Sequence, residues 1–375
     1  MRAALGGFAL AATAGWNLAN VGAIAGRTAD AYGVSLFVVG LFTTALVLTH
    51  AGMQIPAGRL CDRFGARAVG AAGLVIICLT SLAGLGLREA WYAIGLRFVA
   101  GVGLAAAFVG GADYVRATLA SPVAQGFYGA VSMAAGGLAL ALVPLWPGWR
   151  ASFATAGLVA AAGLVLVALA PPDRGRPPVE RAARRFDRRL VPLGVMHAAS
   201  FGLSVVLGNW VATLLQRAGG ESAHVAGIVG GLVLLLGVVS RPLGGHLLDR
   251  PGIVRMSFIV GGVAVGVLAA ARPLPLAVAA AVVVGLAAGI PFAWAFAGAQ
   301  RLRPDAPAAA VGTVNLFATV VILVGTPLLG LTFSIPGDGR VGFAVCALLF
   351  AAAALAVGRS SPSPDRKVHG ARGFR

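Results

Sequence analysis

The strongest constraint on this chain is a series of apolar runs, each near the ~20 residues that a helix needs to cross the hydrocarbon of a bilayer. Twelve can be read, at roughly 4–25, 34–57, 67–87, 91–113, 123–145, 150–170, 190–214, 223–247, 254–271, 274–298, 308–331 and 340–358. Backbone amides in hydrocarbon find no water, so each run must satisfy them internally and is predicted as an α-helix. Charge usage agrees: 11% of residues are charged, against roughly 25% in a soluble domain. A net charge of +17 would suit a nucleic-acid binder. Here the basic residues are scattered between apolar runs and form no patch with aromatics, so no nucleic acid is expected as a partner. Cys61, Cys78 and Cys346 are odd in number and lie in or beside apolar runs. Neither a disulfide framework nor a metal site is predicted from them.

The first run follows Met1 and Arg2 and could pass for a signal peptide. It is too long for the apolar core of one and carries Trp16, Asn17 and Asn20, so it is read as a retained span. Arginine sets the orientation. With the amino terminus in the cytoplasm, 22 Lys and Arg face inward and six face outward, at Arg27, Arg88, Arg150, Arg217, Arg272 and Arg340. Arg97, deep in the fourth run, is assigned to neither face. That asymmetry places both termini inside. Residues 171–189, rich in Pro and Arg, separate 1–170 from 190–358 and read as a cytoplasmic basic linker. The stretch 180–190 could instead lie as a short amphipathic helix on anionic headgroups. Residues 359–375 are polar and basic and read as a disordered cytoplasmic tail.

Directly after the second run comes Gly58-Arg59-Leu60-Cys61-Asp62-Arg63-Phe64-Gly65-Ala66-Arg67, and after the eighth comes Gly245-His246-Leu247-Leu248-Asp249-Arg250-Pro251-Gly252. Aligning Asp62 on Asp249 sets an offset of 187 residues, which also superposes Gly58 on Gly245, Leu60 on Leu247, Arg63 on Arg250 and Gly65 on Gly252. A unit repeated at half the chain length is an internal repeat. The fold expected is all-α and transmembrane, twelve helices in two pseudo-symmetric six-helix bundles. The first turn resembles the loop between the second and third helices of major facilitator superfamily transporters. The second copy resembles, less fully, their loop between helices eight and nine.

Glycines at 58 and 65 would let two helix ends approach and turn. Asp62 is expected near the start of the following helix, where the dipole favours a carboxylate. Arg63 and Arg67 supply opposite charge, and Asp113 ends the fourth span on the same side. The resemblance implies that this motif, with Asp113 and the copy at Gly245, Asp249 and Arg250, clasps neighbouring helices when the transporter faces outward and lets go when it opens inward. A weak lock suits a two-state protein, since surface ion pairs are worth only ~0–1 kcal/mol each. The plainer alternative is a loop that only sets topology.

Polar residues within the spans are the candidate substrate contacts. The position matching Arg241 at the same offset is Gln54, and His50 lies one helical turn before Gln54. Duplicated transporters place substrate at the repeat interface. The resemblance to the superfamily's nitrate and nitrite porters implies that an arginine at the Arg241 position contacts the anion. Those porters carry a second arginine where this chain has Gln54. Arg241 could equally anchor the inner surface. Arg97, in Arg97-x-x-x-Gly101-x-Gly103, resembles the superfamily's Arg-x-x-x-x-Gly stretch with the glycine one place early. As an intramembrane charge it is read as functional, or as snorkelling outward. Asn17, Asn20, His197, Asn209, Trp210, Trp294 and Asn315 complete a plausible cavity lining, or are helix contacts.

No Asp or Glu sits in the middle of any run. A cavity with unpaired positive charge prefers an anion, whereas proton-driven cation exporters of the superfamily usually need a buried carboxylate. The superfamily's antiporter stretch is also poorly met: Gly129-Ala130-Val131-Ser132-Met133-Ala134-Ala135-Gly136-Gly137 lacks its central Gly-Pro. No phosphate loop of the Gly-x-x-x-x-Gly-Lys-Ser/Thr kind appears. The expected protein is a secondary active transporter of the plasma membrane, not an enzyme, monomeric, without cofactor or metal. It would move a small anion by alternating access. If protons are coupled, His50 and His197 are the intramembrane groups that titrate near neutral pH. A drug or metabolite efflux antiporter is the alternative, and a non-transporting receptor or scaffold the remaining one.

Overall fold

The structure, a computed structural model, describes residues 2–34, 36–173 and 186–358. Among the described residues sixteen α-helices follow one another: α1 (Arg2–Ala19), α2 (Ala25–Tyr32), α3 (Leu36–Phe64), α4 (Ala66–Ala83), α5 (Ala90–Leu119), α6 (Pro122–Leu142), α7 (Ala151–Leu169), α8 (Leu190–His197), α9 (Leu203–Arg217), α10 (Ala223–Leu235), α11 (Gly237–His246), α12 (Pro251–Ala269), α13 (Leu274–Leu302), α14 (Pro307–Leu331), α15 (Arg340–Ala352) and α16 (Ala354–Val357). Ten rods among the described residues are long and apolar enough to cross a membrane. The other two expected spans are α1 and α6, and α1 packs along α5, α6 and α7. This is a multi-pass membrane protein with the predicted all-helical architecture.

Three predicted spans are interrupted rods. One turn of wider π-helix, Ala198–Gly202, joins α8 to α9. Leu236 breaks α10 from α11, and Ala353 breaks α15 from α16. Hydropathy is blind to such breaks, because an irregular turn costs no apolar residues. The first run was expected to reach residue 25, but α1 stops at Ala19. There Asn20 Nδ2 donates to the Ser152 carbonyl at 2.9 Å, and the chain turns into the short α2. The second run was expected to end at 57, yet α3 continues to Phe64. Charged residues are compatible with helix and only leave the hydrocarbon. The linker residues 174–185 and the tail 359–375 lie outside the described residues, as does most of the amphipathic stretch expected at 180–190.

Helices α1 and α3–α7 form one set, and α8–α16 the other. They meet at two seams, α3 against α14 and α11 against α6. In the first, a Cβ on Gly58 would sit 2.5 Å from Ala309 Cα, and one on Gly312 would strike the Gln54 carbonyl. In the second, a Cβ on Gly245 would sit 2.5 Å from Val123 Cα, and one on Gly126 would strike the Arg241 carbonyl. The two seams are thus one contact built twice, and the matched pairs Gly58/Gly245 and Gln54/Arg241 occupy equivalent places in it. The turns that carry most arginines lie at this end, called here the basic face.

Gly312→Val should wedge the α3–α14 seam open. Cys61, a free thiol only 1% exposed and packed near Ala308 of the other set, reports it. In a protein whose other cysteines are replaced, maleimide labelling of Cys61 should rise several-fold; unchanged labelling would show that the seam tolerates the branch.

Candidate functional site

Two features stand out: a clasp on the basic face and a polar cluster at the centre. In the clasp, Asp62 lies in the last turn of α3, not at the start of the following helix as expected. Its carboxylate still meets a helix N-terminus, but that of α14. Ala308 N donates to Oδ1 at 3.2 Å and Ala309 N to Oδ2 at 3.1 Å. The N-cap residue of α14 is Ala306, which has no side-chain acceptor. Asp62 therefore caps α14 from the opposite helix set, where dipole and N–H groups both favour an anion. The pseudo-symmetric seam is built otherwise. α6 is capped by its own Ser121, whose Oγ accepts from Ala124 N at 3.4 Å. Asp249 and Arg250 are exposed in the turn between α11 and α12, so the second copy of the motif makes no such clasp through its carboxylate.

The rest of the first motif holds its own helix set together. Gly65 turns the chain at φ +89°, a conformation that glycine adopts without a Cβ penalty. Asp173, read from sequence only as part of the linker, caps α4: Ala66 N donates to it at 2.5 Å and Arg67 N at 3.3 Å. Arg67 itself donates to the Val167 and Ala168 carbonyls at the end of α7, at 3.0 and 2.7 Å. Arg63 is exposed and stacks over Phe64 at 4.9 Å. Asp113, on α5, accepts from Arg116 Nε at 2.8 Å. Beside the α3–α14 seam, Arg189 and Arg303 grip Asp187 and Asp305 at 2.7 and 2.6 Å. Each guanidinium holds its partner carboxyl below the usual carboxylate range.

At the centre, Arg241 on α11 is 2% exposed. Its Nη1 donates to the Gly129 carbonyl of α6 at 2.7 Å, and its guanidinium lies 4.4 Å from the Phe292 ring centre and 5.2 Å from that of Phe201. Nε has no partner, and among the described residues no carboxylate faces it. A buried guanidinium so poorly compensated is costly. The same two rings carry His197, at 5.2 and 5.5 Å. His197 and Asn315 meet at 3.0 Å, His50 and Gln54 at 2.8 Å. Phe108 joins the groups, 6.0 Å from His50 and 6.4 Å from Phe201. His50 Nδ1, Gln54 Oε1, His197 Nδ1 and Asn315 Nδ2 are unpartnered. The π-turn begins at the residue after His197, where such irregularities often mark function.

The other candidates lie elsewhere. Arg97 does not snorkel: it is 3% exposed, and Nη2 donates to the Asn17 carbonyl at 2.7 Å and Nε to that of Phe42 at 3.5 Å. It is eleven residues from Phe108 on α5, about 16 Å along the helix. Asn17 Nδ2 donates to the Thr13 carbonyl at 3.0 Å. Trp210 Nε1 donates to the Thr326 carbonyl at 2.9 Å and its ring tilts on Phe333, about 20 Å along the rod from His197. Trp294 Nε1 is bonded to the Leu248 carbonyl at 3.1 Å. Arg97, Trp210 and Trp294 thus tie separate segments together, while the Asn17 amide bonds within α1 and leaves its Oδ1 unpartnered. The Asn209 side chain lies outside the described residues. The sequence reading missed Phe108, Phe201, Phe292 and Phe296, because a phenylalanine in an apolar span carries no mark of its position. Among the described residues no cluster of His, Cys, Asp and Glu could hold a metal.

Residues 5–326 match the family model described as Major Facilitator Superfamily. The probable nitrate/nitrite transporter NarK2 of Mycobacterium tuberculosis is 30% identical over 324 residues, 80% of this chain and 79% of the relative. Among solved structures, the human organic anion transporter MFSD10 (TETRAN) aligns with a TM-score of 0.71 at 15% identity, covering 95% of this chain and 98% of that one. The fucose:proton symporter FucP of E. coli aligns with a TM-score of 0.72 at 14% identity, covering 95% and 98%.

Proposed function

This chain belongs to the major facilitator superfamily, and from that premise we propose that it is a secondary active transporter of small anions with Arg241 as the binding group. The observation that carries this is a guanidinium buried between two helix sets with no carboxylate partner among the described residues, held by one carbonyl and two ring faces. An anion arriving there recovers the charge–charge energy that the fold leaves unused. The unpartnered atoms of His50, Gln54, His197 and Asn315 supply neutral donors and acceptors around it. The similarity to NarK2 supports an inorganic anion, and Gln54 leaves one guanidinium in the pocket instead of two. Arg97 and Asn17, three turns further along α5 and on α1, shape the approach and do not touch the bound ion.

The two seams support alternating access. Glycine contacts let α3 meet α14 and α11 meet α6, and Asp62 locks the first. In this state the basic face is closed. Release of Asp62 from α14 opens it. The protein lies in the plasma membrane, with the basic face and both termini in the cytoplasm, because arginine asymmetry favours that orientation.

The test is uptake into proteoliposomes of labelled nitrate, nitrite and short carboxylates, against lipophilic cations. Saturable uptake of at least one anion is expected. Indifference to every anion, with cations carried, would overturn the reading.

A further inference from the structure

An apolar groove runs from the basic face along the wall of the first helix set, between α3 and α4 and over α5. Its volume is about 310 Å³, and on α3 it extends from Phe64 to Met53, about 16 Å. Its cause is local. α4 and α5 cross with their backbones in contact: a Cβ on Gly73 would sit 2.5 Å from the Gly103 carbonyl, and one on Gly103 would sit 2.6 Å from that of Gly73. α3 also packs along α5, and only lightly on α4. Two helices that share a neighbour but splay from each other leave a furrow, floored here by Gly73 and Ala106. Its rims are open. Leu60 is 40% and Phe64 57% exposed, and Ala68 and Ala72 are exposed as well. In a multi-pass membrane protein, an open apolar wall of this kind faces lipid.

The end of the groove at the basic face carries a charge. Arg63 is exposed, and its guanidinium lies 4.9 Å from the ring centre of Phe64, which lines that end. Neighbouring charges of the motif are turned elsewhere. Asp62 caps α14, Arg67 is bonded to the end of α7, and Arg59 lines a cavity beside the α3–α14 seam. Among the described residues no carboxylate pairs with Arg63. A guanidinium stacked at the mouth of an apolar furrow fits an amphiphile, with a phosphate on the fork of N–H groups and an acyl chain beneath. A zwitterionic headgroup already balances its phosphate with its own ammonium; an anionic one does not. We propose that this groove holds one anionic phospholipid, of the phosphatidylglycerol class, with its phosphate on Arg63 and one chain between α3 and α4. The chain lies among apolar neighbours whether bound or not, so its burial confers little preference. The guanidinium supplies the selectivity, and the groove fixes the place. Every lining residue belongs to the first helix set, so the lipid moves with that set.

Native mass spectrometry of the delipidated protein in a neutral detergent, titrated with phosphatidylglycerol or with phosphatidylcholine of the same chains, tests this. The first phosphatidylglycerol should bind more tightly than the first phosphatidylcholine. Arg63→Gln should cut that preference about fivefold. Arg301→Gln removes an equally exposed charge at the end of α13, and should leave the preference intact. Ala72→Phe, on an exposed rim, should fill the groove and weaken both lipids. Glycerol phosphate, a headgroup without chains, should not displace the lipid. Equal affinity for the two lipids, equal losses from Arg63→Gln and Arg301→Gln, unchanged binding by Ala72→Phe, or displacement by glycerol phosphate each overturns the proposal. The readout is lipid binding, so it stands apart from the anion reading of the Arg241 site.

Discussion

Arg241→Gln is expected to lower saturable anion uptake by about a hundredfold or more, while leaving the protein folded and in the membrane. The estimate takes two charge-assisted hydrogen bonds to the anion at ~1.5–3 kcal/mol each, with about 1.4 kcal/mol per factor of ten. Glutamine is the residue already present at the matched position 54, so the substitution suits the seam geometry. The bond to the Gly129 carbonyl and the contacts with Phe201 and Phe292 would be weakened, and thermal stability measures that loss separately. Arg241→Lys keeps the charge but loses the planar fork; it should bind the anion with intermediate affinity. A merely structural arginine would give the opposite pattern, with stability lost and the affinity of the surviving protein unchanged. Native uptake by Arg241→Gln would remove the guanidinium from the mechanism.

Asp62→Asn carries the second large effect. The asparagine keeps one carbonyl oxygen for α14 and loses the charge that faces the helix dipole. Capping and dipole energies of about 1–2 kcal/mol convert to a shift of roughly five- to thirtyfold toward the open basic face. Maleimide labelling of Cys61 should rise, and turnover of whichever anion is carried should fall. Asp249→Asn provides the contrast. That residue is exposed, and α6 already has Ser121 as its cap, so little change in either readout is expected. Equal effects from the two substitutions would mean that the halves share the clasp symmetrically, against the geometry at α6. A receptor or scaffold would register neither in its activity.

Much of this fold was legible because a bilayer leaves the backbone few choices. Apolar runs of sufficient length had to be helices, and the 187-residue offset announced two sets. The same offset paired Gln54 with Arg241, which the structure places at equivalent points of the two seams. The polar centre was legible in part, since His50, Gln54, Arg241 and Asn315 are conspicuous in apolar surroundings. So were Arg97 and Trp210, whose partners turned out to be backbone carbonyls that no pattern of side chains announces. The partner of Asp62 was hidden for the same reason. It binds the N–H groups of Ala308 and Ala309, and every residue other than proline has one. What could have pointed there is a negative sign: α14 begins Ala306-Pro307 with no capping side chain of its own. The inequality of the two clasps was written more plainly, in Ser121 directly before Pro122, a helix start that needs no help from elsewhere. The ring cluster could not be anticipated, because Phe108, Phe201, Phe292 and Phe296 look like ordinary lipid-facing or core residues until the helices are packed.

The central claim is that the two helix sets separate and rejoin at the basic face as an anion is carried. Spin labels at position 60 on α3 and position 304 before α14, in a protein without native cysteines and reconstituted in bilayers, measure that separation. The distance distribution should contain a short population corresponding to the closed seam, and a longer one whose share changes when a transported anion is added and grows with Asp62→Asn. A single short distance, unmoved by an anion that the same preparation demonstrably transports, would contradict the account.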